Sequence, residues 1–127
     1  MNQRPRPVLV VDDDEMIRNL VRTILHRHSF EVETAADGEV ALSMVHGREY
    51  AVVLLDLMMP RMDGITFLQH VAEEIPTGER PMILVMTAAT DGLIRQLEPS
   101  LVQGVVRKPF DISELAAVVA ECAARTD

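Results

Sequence analysis

The sequence predicts an α/β fold: a three-layer α/β/α sandwich around a five-stranded parallel sheet. Two observations carry that expectation. First, four short apolar runs end in polar or charged residues: Val8 to Val11 before Asp12, Ala51 to Leu55 before Asp56, Met82 to Met86 before Thr87, and Val105-Val106-Arg107 before Lys108. Continuous apolar runs of this length suit strands buried on both faces. Second, the segments between the strands carry apolar residues at helical spacing. A sustained βα alternation implies right-handed crossovers with helices covering both sides of the sheet.

The elements follow in order. After the first strand, Ile17, Leu20, Val21, Ile24, Leu25 and His28 recur at helical spacing and mark an amphipathic helix from Asp14 to His28. Phe30 to Ala35 alternates like a strand. Asp37-Gly38 is a turn signal, and Val40, Ala41, Met44 and Val45 give one face of a short second helix. Beyond the Asp56 strand, Ile65, Leu68, Val71, Ala72 and Ile75 repeat helically from Asp63 until Pro76 and Gly78 break the pattern. Met82 to Met86 reads as a fully buried strand. Between Thr90 and Gly104 an unusual segment is expected, because Gly92 and Pro99 leave a short helix around Leu93 to Glu98 that Pro99 should end or kink. In the last helix Asp111 and Glu114 resemble a capping box, and Ile112, Leu115, Ala116, Val119 and Cys122 form its buried stripe. Ala117, Val118 and Ala124 fall off that stripe and would form a small exposed apolar patch.

A chain of 127 residues has room for one domain, which buries about two thirds of the surface its unfolded form exposes. Residues 1–6, with Arg4 and Arg6 among prolines, read as a flexible tail. No apolar segment of signal-peptide length follows, so neither export nor membrane spanning is supported. The formal net charge of −8, from 20 acidic and 12 basic residues, argues against direct binding to nucleic acid or an anionic membrane. The lone Cys122 cannot form an intrachain disulfide and reads as a small core residue in a chain suited to a reducing compartment.

In an open parallel sheet, ligands bind beyond the carboxyl ends of the strands, so Asp12, Asp13, Asp56, Thr87 and Lys108 would converge on one site. Adjacent carboxylates at Asp12 and Asp13 repel unless a cation lies beside them. Magnesium usually takes only one or two protein carboxylates, so Asp13 and Asp56 plus a backbone carbonyl would suffice. The plainer alternative is negative charge at the first turn of a helix, worth about 0.3–1 kcal/mol, and Asp14 and Glu15 are expected to do only that. Asp56 could be a further metal ligand, or a nucleophile forming an acyl-phosphate. Metal, ammonium and hydroxyl are the usual charge compensation for phosphoryl transfer. Taken singly, Thr87 is an ordinary strand-end hydroxyl and Lys108 a solvated lysine. His26 and His28 suit the C-terminal dipole of the first helix, while His46 and His70 lack a ligand-spaced partner in sequence.

Four stretches, Val8-Leu9-Val10-Val11-Asp12-Asp13-Asp14, Leu54-Leu55-Asp56 through Asp63-Gly64, Met86-Thr87-Ala88 and Arg107-Lys108-Pro109-Phe110, resemble the signature of response-regulator receiver domains. They occur in the family's order and span nearly the whole chain. The resemblance implies a flavodoxin-like sheet of order 2-1-3-4-5 and a single receiver domain over residues 1–127. It implies phosphorylation of Asp56 by a sensor histidine kinase or phosphotransfer protein, with Mg2+ held by Asp12, Asp13, Asp56 and the Met58 backbone carbonyl, and Mn2+ able to substitute. Lys108 would contact the phosphoryl group, Thr87 would move to bind it, and the Lys108-Pro109 bond would be cis. The setting implied is a cytoplasmic bacterial two-component or phosphorelay pathway. Such a domain is no enzyme beyond catalysing its own phosphorylation and dephosphorylation. Its output would pass to a downstream protein, a fused domain or a second copy of the chain.

Two departures stand out. Many receivers carry Tyr or Phe three residues before the lysine, where this chain has Val105, and a valine has no ring to swing between buried and exposed states. Met58 and Ala89 offer no polar side chain to orient a hydrolytic water. Two alternatives remain open at this point. One is a receiver-like scaffold that does not use phosphate. The other is a phosphohydrolase of the haloacid-dehalogenase type, whose first motifs Asp12-x-Asp14, Thr87 and Lys108 resemble, although that reading leaves Asp56 to Gly64 unexplained.

Overall fold

The computed structural model describes residues Arg6 to Arg125. The tail expected over residues 1–6 therefore lies, Arg6 apart, outside the described residues. The chain runs β1 (Val8–Val11), α1 (Glu15–Arg27), β2 (Val32–Ala35), α2 (Gly38–Gly47), β3 (Val52–Leu55), α3 (Gly64–Glu74), a 3₁₀ turn (Thr77–Glu79), β4 (Met82–Thr87), α4 (Asp91–Ile94), β5 (Gly104–Arg107) and α5 (Ile112–Ala124). The strands form one parallel sheet of order β2-β1-β3-β4-β5, which is the flavodoxin-like arrangement expected from the sequence.

Alternation along the strands divides the core between two faces. Val8, Val10, Val52, Leu54, Leu84, Met86 and Val106 pack with Val21 and Leu25 of α1 and with Leu115, Val119 and Cys122 of α5. Leu9, Val11, Val53, Leu55 and Ile83 face the other way, against Ala41 of α2 and Phe67, Leu68 and Val71 of α3. Both faces of the central strands β1, β3 and β4 are covered, so these need no polar side, and each fully buried Val or Leu contributes about 1.5–3 kcal/mol. Burial also pushes the Cys122 thiol up. The phenol of Tyr50, desolvated and donating to Glu33, is pushed up to about 12.

Aspartates start four of the helices. Asp14 accepts from the Met16 amide at 2.9 Å, Asp37 from Val40 at 3.0 Å, Asp63 from Thr66 at 2.8 Å and Asp111 from Glu114 at 3.0 Å. Each satisfies an amide that the first helical turn leaves without a backbone partner, worth about 0.5–2 kcal/mol. Much of the chain's acidity near the loops is thus explained by capping.

Several expectations need correction. α1 starts at Glu15, since Asp14 is its cap, and its stripe is narrower than the spacing predicts: Leu20 is 44% exposed and His28 is exposed with its ring on the Ile24 carbonyl. Val40, expected on the buried face of α2, is 44% exposed because it sits in the first turn, beside the cap. Ile112 is 51% exposed for the same reason at the start of α5. The helix expected around Leu93 to Glu98 is instead a single turn, Asp91–Ile94, and irregular backbone occupies the residues up to β5. It ends well before Pro99, so the proline does not set its end. Val118 is half-buried against the core, which leaves only Ala117 and Ala124 of the anticipated α5 patch exposed.

Phe67, which the helical spacing alone did not single out, is a fully buried side chain in the α2/α3 layer. Phe67→Ala is expected to cost about 3–5 kcal/mol of unfolding free energy in urea titrations. Ile112→Ala, at an exposed first-turn position, should stay within about 0.5 kcal/mol of the parent.

Candidate functional site

The register fixes where the polar strand ends emerge. Val11 pairs with Leu55, so Asp12 and Asp56, each one residue further on, leave the sheet at the same height. Thr87 pairs with Arg107, which places Lys108 one residue beyond the next strand over. The amide of Asp56 donates to the Val11 carbonyl at 2.9 Å and that of Lys108 to the Thr87 carbonyl at 3.0 Å, so the ladder continues to the functional residues themselves.

Asp12 is fully buried and Asp56 is 5% exposed, whereas Asp13 is open to solvent. One carboxylate oxygen from each of the three lies within 4.8 Å of the others. The Lys108 ammonium donates to Asp12 Oδ2 at 2.6 Å and to Asp56 Oδ2 at 3.3 Å. The remaining oxygens are partly satisfied by backbone: Asp12 Oδ1 accepts from the Asp14 amide at 2.9 Å, and Asp56 Oδ1 from the Met58 amide at 3.3 Å. Burial has the largest effect on Asp12 and pushes its carboxyl up; the Lys108 and Asp14 hydrogen bonds oppose this and the Asp56 charge adds to it. Burial alone would pull the Lys108 ammonium down, but the Asp12 and Asp56 carboxylates outweigh it and hold it above its ordinary value. Asp12 thus holds its proton more firmly chiefly because it is buried, and Lys108 because two carboxylates face it.

Three clustered carboxylates with an excess of negative charge match the hard oxygen donors that a divalent cation such as Mg2+ requires. An exposed Asp13 leaves that cluster open to solvent, beside a shallow cleft of about 430 Å3 that runs over Leu57 to Pro60. A roomier groove of about 670 Å3 lies between α1 and the edge strand β2, remote from these carboxylates.

The other residues singled out from the sequence fall around this cluster in different ways. Thr87 is fully buried, and its hydroxyl accepts from the Ala89 amide at 3.1 Å. The Lys108–Pro109 peptide bond is cis. The Met58 side chain is 61% exposed. Val105 is 38% exposed on β5, and the Arg107 guanidinium two residues on pairs with Asp91 of α4. Asp14 is occupied in capping α1, which removes one of the two carboxylates a haloacid-dehalogenase reading needs. His70 Nδ1 and His46 Nε2 converge on Glu74, at 2.5 and 2.8 Å, and hold its carboxyl below the usual range.

Three residues near the site escaped the sequence reading. Arg18 of α1 donates to the Asp12 carbonyl at 2.6 Å. Asp37, read only as part of a turn, is buried and takes both Arg61 Nε and an Arg61 terminal nitrogen on Oδ2, each at 2.9 Å. The Val40 amide bond acts most strongly on Asp37 and, with Arg61, holds its carboxyl below the usual range despite burial. An aspartate ahead of a glycine and a helical run is a capping signal that could have flagged Asp37; nothing in sequence flags its pairing with Arg61.

The family model described as response regulator receiver domain matches residues 8–120. Among curated proteins, the transcriptional regulatory protein SrrA of Staphylococcus aureus is 40% identical over 81 residues, which cover 64% of this chain but only 32% of SrrA. Among solved structures, the receiver domain of a Francisella response regulator has a TM-score of 0.84 at 30% identity, covering 96% of this chain and 99% of that one. The response regulator TrrA of Thermotoga maritima, solved in complex with Mg2+ and BeF, has a TM-score of 0.80 at 28% identity, covering 92% and 98%. A CheY-like receiver of Methanospirillum hungatei has a TM-score of 0.87 at 22% identity, covering 97% of each chain, and speaks to fold alone.

Because Asp13 adds charge to an already anionic cluster from its exposed side, Asp13→Asn is expected to stabilise the metal-free protein. The gain should be about 1 kcal/mol or less, the repulsion of two unit charges roughly 4 Å apart in water-like surroundings. Urea unfolding in the presence of a chelator reads it; a loss of stability would show that the cluster is not under repulsive load.

Proposed function

We propose, from the premise that this chain belongs to the response-regulator receiver-domain family, that Asp56 is its phosphoacceptor and residues 1–127 work as one receiver unit. The observation that carries this is the placement of Lys108 between two buried carboxylates, Asp12 and Asp56, at the edge where three strands end. A phosphohistidine on a sensor histidine kinase or phosphotransfer protein would supply the group. An Asp56 carboxylate oxygen attacks phosphorus, the bond to the imidazole nitrogen breaks, and a mixed anhydride remains on Asp56. Hydrolysis returns the carboxylate and inorganic phosphate. The domain acts enzymatically only on itself.

The chain's own groups supply orientation and charge. Asp12 and Asp13, with Asp56 and the Met58 carbonyl, would hold Mg2+, or Mn2+ in its place, and the cation supplies charge compensation on the phosphoryl oxygens. Lys108 already donates to Asp56 and would redirect its ammonium N–H to a phosphoryl oxygen, leaving Asp12 to the metal. Thr87 would release the Ala89 amide to donate its hydroxyl to the same group. Added charge of about −1.5 to −2 at this edge then biases a surface between two states. With Val105 at the position where many receivers have an aromatic ring, that bias would reach the α4–β5 face through Thr87 and the Arg107–Asp91 pair rather than a ring flip. The recipient would be a downstream protein, a fused output domain or a second copy, without direct nucleic acid binding by this domain. No helix among the described residues is long and apolar enough to cross a membrane, and a cytoplasmic two-component pathway is the setting that fits.

Intact mass after incubation with acetyl phosphate and Mg2+ tests the assignment. The wild type should gain one phosphoryl group, while Asp56→Asn, or the wild type with a chelator, should gain none. Labelling that persists in Asp56→Asn would displace Asp56 from its role, and failure of the wild type with both acetyl phosphate and a phosphorylated kinase would favour the phosphate-independent scaffold.

A further inference from the structure

We propose that Asp37 and Arg61, which the reaction above does not use, are positioning residues that hold the loop after Asp56 in its metal-binding shape. The proposal rests on the reading of Asp56 and the Met58 carbonyl as metal ligands. Asp37 precedes α2, on the far side of β1 from β3 in the sheet order, yet it reaches the loop after β3 directly. Its side chain is 6% exposed; Oδ1 accepts from the Val40 amide at 3.0 Å, and Oδ2 accepts from Arg61 Nε at 2.9 Å with a terminal nitrogen of the same guanidinium ion-paired at 2.9 Å. Arg61 has φ of 63°, a left-handed conformation that a non-glycine residue keeps only where its surroundings hold it.

Next to that pair the backbones themselves touch. The Gly38 amide donates to the Met62 carbonyl at 3.2 Å, and a Cβ on Gly38 would stand 2.6 Å from that oxygen. At the loop's end the Gly64 amide donates to the Leu57 carbonyl at 3.0 Å, and a Cβ there would stand 2.5 Å from the Asp56 carbonyl. The loop is therefore closed on itself at Gly64 and tied to the start of α2 at Arg61 and Met62. Met58 lies between these two fixed points, with its amide on Asp56 Oδ1. A shift of Arg61 and Met62 would therefore be passed along Pro60 and Met59 to the Met58 carbonyl.

The Arg61 side chain is 59% exposed, so the pair adds little to stability through charge alone. Its fork, engaging one buried oxygen with two donors, fixes direction instead, which a lysine ammonium does not do. Groups that orient metal ligands typically change metal affinity by about 10–100-fold when removed. The expected effect here is at the lower end, because the clamp acts on one backbone carbonyl and leaves Asp12, Asp13 and Asp56 in place.

The test uses Asp37→Asn, Arg61→Gln, Arg61→Lys and the Asp37→Asn/Arg61→Gln double variant. Asparagine keeps an oxygen for the Val40 amide, so α2 retains its cap. Three quantities are read: the Mg2+ dissociation constant by calorimetry, the Mg2+ dependence of acetyl-phosphate labelling, and Tm. Each single variant should weaken Mg2+ binding by about tenfold, with the labelling rate restored at saturating Mg2+. The double variant should be no worse than either single, the mark of residues acting as a pair. Arg61→Lys should recover only part of the loss. Variants with wild-type Mg2+ affinity, losses that simply add, or weakening that appears only as a lower Tm would overturn the proposal. Wild-type protein that binds Mg2+ but is never labelled would sink the phosphoacceptor reading while calorimetry still judges the clamp; wild-type protein that binds no Mg2+ would sink both.

Discussion

A half-buried ammonium shared by two buried carboxylates is the constraint around which this molecule is organised. Lys108 reaches Asp12 at 2.6 Å and Asp56 at 3.3 Å, across residues far apart in sequence, because the parallel sheet brings their three strand ends to one edge. Breaking such a pair leaves an uncompensated charge, whereas keeping it still leaves carboxylates in excess, because two already share the one ammonium and Asp13 stands as a third beside them. The fold therefore carries at this edge an electrostatic load that a cation would relieve. A site of that kind responds strongly to the arrival of charge, which is what a phosphorylation switch requires.

The remainder of the fold makes the load tolerable. Two apolar layers, one between the sheet and α1/α5 and one between the sheet and α2/α3, lock the strands in register. Since Val11 and Leu55 are partners, the carboxylates beyond them cannot slip apart without the sheet slipping too. Loops at this edge are held by backbone contacts that only glycine permits, at Gly38 and Gly64. Rigid support thus surrounds the acidic cluster on the β1 and β3 side. On the β4 and β5 side the single-turn α4 and the irregular backbone up to Gly104 give less support.

Strands and site were legible in the sequence for a physical reason. Strands buried on both faces must be apolar throughout, so their polar ends stand out, and of the residues at those ends Asp12, Asp56 and Lys108 meet. The strand order itself came from the family resemblance, since apolar runs do not reveal which strands are neighbours. Helix faces were less legible near their first turns: Val40 and Ile112 fit a helical stripe but lie where the helix has just left its cap and the sheet has not yet covered it. The single turn of α4 was misplaced because Gly92 and Pro99 mark breaks without saying where the helix between them lies. The Asp37–Arg61 pair was invisible, as a contact between two loops leaves no periodic trace in either.

The most direct measurement of this account is the thermal unfolding of metal-free protein titrated with Mg2+, against NaCl at matched ionic strength. A cation that binds the folded carboxylate cluster and not the unfolded chain should raise Tm by several degrees and saturate, beyond any shift from the monovalent salt. An equal response to both salts would mean that the cluster is only screened and holds no cation, and the central claim would fail.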